Sequence, residues 1–245
     1  MIKDTRIIMG MPITLMVHDG SLTKKQINDV FAIFTDADAK YSPYKSDSEV
    51  SQLNDMPLLK RRYSSELTQI MLLAEQTKQD TDGYFDVHHK GTFDPSGIVK
   101  GWAIQKAAAK LGTMTDNYYM EAGGDIQVAG VAEHGTAWRI GVRNPFNRDE
   151  NVSVVALENA AIATSGTAIR GAHIYDPVSG QELKKVVSLS VIADRILDAD
   201  RMATAAFAMG EKGLEFLNKL RGYEAYVIYA DGSAAMTGGW KAVSV

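Results

Sequence analysis

The chain has 245 residues, 45% hydrophobic and 23% charged, enough for one large domain or two small ones around a real core. A formal net charge of -4 leaves no basic field for nucleic acid or anionic lipid. The absence of cysteine excludes disulfides, zinc–thiolate sites and thiol nucleophiles.

The amino-terminal stretch alternates apolar and polar residues and breaks at Gly10 and Pro12. It has no continuous apolar signal core, and no segment approaches bilayer-spanning length, so the expected location is cytoplasmic. Residues Arg6 to His18 read as a bent strand. A helix is predicted from about Leu22 to Ala39, because Ile27, Val30, Phe31, Phe34 and Ala37 recur at helical spacing. Tyr41 to Asn54 read as a turn-rich connection. A second amphipathic helix is predicted from about Ser65 to Gln79 and a third from near Lys100, with Gly112 as its stop.

From Asn117 onward the pattern changes to short, often β-branched runs. Strands are predicted at Tyr118–Glu121, Ile126–Val131, Ala137–Val142, Ser153–Leu157, Ala160–Ala163 and Val187–Ala193. Helices at about Asp200 to Met209 and Lys212 to Leu220 interrupt them. A strand at Tyr223–Tyr229 and a last pair near Ala234 and Val243 close the chain. Helices first, then a strand-rich half, indicate an α+β fold, with one continuous domain over residues 1–245 expected.

The common nucleotide and protease signatures are missing. No G-x-G-x-x-G follows a strand, and neither a P-loop nor an H-E-x-x-H is present. His88 and His89 are adjacent and would face opposite sides of a strand, which makes a poor chelate.

Polar and glycine residues instead concentrate in four places. Tyr84-Phe85-Asp86 follow a Thr81-Asp82-Gly83 turn. Asp94-Pro95-Ser96-Gly97-Ile98-Val99-Lys100-Gly101 lead into a helix, an arrangement that suits a phosphate at the helix amino terminus, or equally a plain turn. Glu121-Ala122-Gly123-Gly124-Asp125 form either a close-approach loop for a bulky ligand or an ordinary turn. The last group joins Thr164-Ser165-Gly166, His173-Ile174-Tyr175-Asp176-Pro177 and a helix carrying Asp200 and Thr204. Their i,i+4 spacing puts a carboxylate and a hydroxyl on one face, a donor pair suited to Mg²⁺ and also to capping.

In this order the segments resemble the ApbE family, the FAD:protein FMN transferases. The resemblance runs from Met9-Gly10 through Tyr44 to Asn54, Gly83 to Asp86, Asp94 to Gly101 and Ala122 to Asp125. It continues through Trp138 to Val142 with Asn144-Pro145, then Thr164 to Gly166, His173 to Pro177 and Asp200 to Gly210. Its most specific parts are Asp-x-x-Ala-Thr at Asp200–Thr204 and Ile-x-Lys-Gly at Ile98–Gly101.

The resemblance implies a single ApbE-like, T-fold-like domain with a flavin site in a cleft between lobes. It implies that Met9, Tyr44, Tyr84, Phe85, Asp86, Asp94, Lys100 and Tyr175 contact FAD. It implies a magnesium site from the Gly97 carbonyl and the Asp200 and Thr204 side chains, with His173 near the flavin phosphates. Asp200 and His173 are the expected catalytic groups, with Asp94 a further possible base. The implied reaction transfers FMN from FAD to a Ser/Thr hydroxyl of an acceptor flavoprotein and releases AMP. An FAD pyrophosphatase and a non-catalytic FAD-binding protein are the alternatives. Pro95-Ser96 after Asp94 and a short Gly166–His173 loop depart from the family's usual wording.

Overall fold

Met9 and Gly10 both adopt positive φ, 56° and 71°, and turn the chain back on itself. The predicted bent strand is therefore a hairpin, β1 (Ile2–Ile8) paired antiparallel with β2 (Met11–Val17). This computed structural model describes residues 1–18, 22–55, 63–89, 91–147, 149–167, 177–178, 180 and 183–245.

Helix α1 (Lys24–Tyr41) begins at a capping box: the Thr23 hydroxyl accepts from the Gln26 N–H, and the Gln26 side chain accepts from the Thr23 N–H. Helix α2 (Glu49–Asp55) occupies part of the stretch read as turns. It buries only Val50, so the sequence shows no apolar period there. Its Asn54 amide exchanges two hydrogen bonds of 2.9 Å with the Phe93 backbone, which ties α2 to the approach to Asp94. Helix α3 (Ser65–Asp80) is capped by Ser64. The ribbon β3 (His88–His89) and β4 (Thr92–Phe93) follows.

Helix α4 (Ser96–Leu111) starts four residues before the predicted Lys100. Pro95 opens it with a φ near -83°, which a helix start accepts, and the Asp94 carboxylate takes the Ser96 N–H at 2.9 Å. The Ile98–Gly101 motif is thus helical, and the Ser96 N–H just upstream of it is already taken by Asp94.

Strands β5 (Tyr118–Ala122) and β6 (Asp125–Ala129) form a hairpin about Gly123 and Gly124, with φ of 60° and 97°. Next come β7 (Trp138–Arg143), β8 (Asn151–Leu157), β9 (Ala161–Gly166) and β10 (Val186–Ala193). Helices α5 (Ile196–Ala208) and α6 (Gly213–Asn218), strands β11 (Glu224–Tyr229) and β12 (Ala234–Met236), and α7 (Trp240–Val243) complete the chain. Val243, predicted as strand, is helical, and only Ser244 makes a bridge, to Val155.

An eight-stranded antiparallel sheet runs in the order β1-β2-β5-β6-β9-β10-β11-β12. Helices α1, α4 and α5 pack on one face. The β7–β8 ribbon and α7 cover part of the other, where Trp138, Ile140, Leu157 and Trp240 meet Ile126 and Ile228. The architecture is α+β, as the sequence predicts. Among the described residues no helix is long and apolar enough to cross a membrane.

Candidate functional site

Strand β6 alternates between the two faces. Ile126 and Val128 enter the core beneath the ribbon. Asp125 and Gln127 turn to the helices, where Gln127 Oε1 accepts the Ile196 N–H at 2.8 Å and anchors the start of α5. One and two turns along α5 come Asp200 and Thr204.

Helices α4 and α5 cross closely because α4 presents glycine at Gly101, and Gly97 lies one turn earlier, against Phe85 and Thr204. A Cβ on Gly101 would lie 2.9 Å from Asp200 Oδ2 and 3.2 Å from Leu197 Cα. A Cβ on Gly97 would lie 3.9 Å from Thr204 Cγ2 and 3.3 Å from the Phe85 ring. The three residues predicted to hold a cation are therefore neighbours. Their donors are a carboxylate, a hydroxyl and a carbonyl, the hard oxygens that suit an alkaline-earth cation. The Gly101 N–H, which a regular helix directs to the Gly97 carbonyl, also faces Asp200 Oδ2 at 2.9 Å. Ser165 Oγ stands 3.4 Å from Thr204 Oγ1.

Lys100 aims inward. Its ammonium contacts Asp125 Oδ2 and lies 3.4 Å from Asp200 Oδ1. Both carboxyls are buried, with Asp125 1% and Asp200 3% exposed. Burial pushes Asp200 up, Lys100 pulls it down and Asp125 pushes it up again, for a pKa of about 7. Among the described residues no three histidine or acidic side chains form a metal cluster.

The other predicted residues are distributed around this centre. Asp94 caps α4. Phe85 is 3% exposed, and its ring packs at Gly97, so it belongs to the core. Tyr84 is half-buried after the turn of Asp82 and Gly83. Met9 occupies the β1–β2 turn, at the sheet end where the Gly123 N–H donates to the Pro12 carbonyl. Tyr44, at 88% exposed, stands out from the α1–α2 connection. Asp86 pairs with Lys78 at 2.8 Å and accepts the His88 N–H at 2.9 Å. Burial opposes ionisation of Asp86, but Lys78 and that N–H outweigh it and hold the carboxyl below its usual range. His173 and Tyr175 lie outside the described residues.

Asp125 is the site residue that sequence reasoning passed over. Its segment stood out, but Gly-Gly-Asp also spells an ordinary turn. The signal was an acid at the first position of a strand whose same-face neighbours are buried.

The sequence profile of the ApbE family matches residues 9–92 and 87–227. The chain belongs to the ApbE family. It is 26% identical to the FAD:protein FMN transferase of Haemophilus influenzae, over 83% of this chain and 79% of that protein. It is 34% identical to that of Vibrio cholerae, over 49% of this chain and 39% of that protein. The ApbE protein of Thermotoga maritima superposes with a TM-score of 0.88 at 19% identity, covering 100% of this chain and 99% of that one. The apo form of the Pseudomonas stutzeri flavinyl transferase ApbE superposes at 0.85 and 22% identity, covering 99% and 96%. These two likenesses establish the ApbE fold for the whole chain.

Proposed function

We propose that this chain acts as one catalytic unit, a magnesium-dependent FAD:protein FMN transferase that joins FMN from FAD to a serine or threonine hydroxyl of an acceptor flavoprotein. The observation that carries this reading is the meeting of Gly97, Asp200 and Thr204 where α4 crosses α5, in a family whose matched relatives bear that name.

The donor chemistry fits magnesium, which takes few protein oxygens and fills its shell with water and substrate phosphate. When bound, that ion supplies charge neutralisation at a diphosphate. Gly101 lets the two helices come close, and the Gly97 carbonyl, the Asp200 carboxylate and the Thr204 hydroxyl would hold the cation there. Lys100 adds a fixed positive charge beside them.

In the reaction, the acceptor hydroxyl oxygen bonds to the FMN-side phosphorus. The bond from that phosphorus to the bridging oxygen breaks, and AMP leaves with the electron pair. The hydroxyl proton passes to a base drawn from Asp200, His173 and Asp94.

The test incubates the protein with FAD, Mg²⁺ and a candidate acceptor and weighs the acceptor by mass spectrometry. An FMN adduct with AMP release is expected. Asp200→Asn keeps an oxygen for the Gly101 N–H but removes the charge, and should cut transfer by roughly 10²–10³-fold. Near-normal transfer in that variant removes the metal from the reading. Free FMN with an unmodified acceptor identifies FAD hydrolysis instead.

A further inference from the structure

Asp125 has no part in the proposed reaction, yet it is a fully buried carboxyl in the middle of the site. Its Oδ1 accepts the Thr164 N–H at 3.1 Å, and its Oδ2 meets the Lys100 ammonium. The same ammonium reaches Asp200 Oδ1 at 3.4 Å, so one cation is shared between two acids on different elements. Asp125 is the nearer partner.

A divalent cation entering at Asp200 meets two obstacles here. Lys100 already neutralises part of the Asp200 charge, and it repels a second cation. It cannot simply retreat, because that would leave the Asp125 carboxylate buried without its counter-charge, which is costly. The geometry points to Asp125 as a positioning residue that holds Lys100 as a resident counter-ion, so that Asp200 can take a divalent cation without expelling the ammonium. The inference rests on the metal reading of Asp200, Thr204 and Gly97.

The experiment measures Mn²⁺ binding to the full chain without FAD, by the loss of the free-ion electron paramagnetic resonance signal. Asp125→Asn retains an acceptor for the Thr164 N–H but releases Lys100 onto Asp200. Mn²⁺ binding should weaken by about tenfold, the scale of a single charge–charge interaction at a buried acid. Adding Lys100→Met to Asp125→Asn removes the competitor and should restore binding. Lys100→Met alone leaves two acids facing each other and should bind Mn²⁺ more tightly than the unaltered protein.

Unchanged binding in Asp125→Asn overturns the inference. Weakening that persists in the double variant also overturns it, because a direct ligand or a purely structural residue would not be rescued. Weaker binding by Lys100→Met overturns it too, and remains readable if Asp125→Asn does not fold. Failure of the unaltered protein to bind Mn²⁺ is a separate result: it removes the metal reading, and this inference with it.

Discussion

Asp200 sits between opposing influences, and the balance has a consequence for stability. Burial dominates and favours the neutral acid, Lys100 favours the carboxylate, and Asp125 favours the neutral form again, leaving a pKa of about 7. In the unfolded chain an aspartate titrates near pH ~4. Between about pH 4 and about pH 7 the native state therefore holds a proton that the unfolded state has released. This group's stabilising contribution is complete below the lower value and is lost as pH rises through the upper one. The metal-free protein should thus lose stability across that window more steeply than its Asp200→Asn variant. Urea unfolding at several pH values measures the difference, and parallel pH profiles for the two proteins would count against it. That Asp200 and Thr204 share one face of a helix was legible from their i,i+4 spacing, whereas a site role for them came only from the family resemblance. The pairing of Asp200 with Asp125 was not legible, since the contact joins a strand start to a helix far along the chain, through Lys100 of a third element. No local pattern encodes such a meeting.

The elements show the same division between local and tertiary signals. Helices α1 and α3 carry long apolar periods and side-chain caps at Thr23 and Ser64, and they lie where the periodicity puts them. Helix α2 has too small a buried face to read, and the start of α4 is obscured because Pro95 reads as a break while serving as a start. Helix α4 also carries two glycines that helix propensity disfavours by about 1 kcal/mol each. At Gly101 the reason is contact: a methyl there meets Asp200 Oδ2 at 2.9 Å and the Leu197 backbone at 3.2 Å. Gly101→Ala gains intrinsic propensity but must push α5 away, and overpacking of this kind costs about 1–3 kcal/mol. A net loss of stability is expected, together with weakened divalent-cation binding, because Gly97 and Thr204 move apart along with the backbones. Calorimetric melting and Mn²⁺ titration of the variant read the two effects. A stabilised variant with unchanged binding would show that the helices have room to spare.

At the scale of the molecule, the sheet separates two cores with different work. The helical face carries Lys100, Asp125 and Asp200, while the opposite face is closed by the β7–β8 ribbon and α7. Trp240 is the largest side chain fully enclosed there. Its ring lies 5.5 Å from that of Tyr226, and its indole N–H donates to Ser153 Oγ at 3.3 Å. It thereby fastens the carboxyl terminus to both the sheet and the ribbon. Truncating such an aromatic costs about 3–5 kcal/mol, which for a chain of this size lowers the melting temperature by roughly 6–20 °C. The sheet stands between this core and the α4–α5 crossing, so Trp240→Ala should lower the melting temperature while leaving Mn²⁺ affinity and transfer rate near normal at temperatures where it stays folded. The pair of measurements is the check. A fall in stability accompanied by a fall in cation affinity would mean that the ribbon face helps to fix the distance between Asp125 and α5, and that the two cores act as one unit.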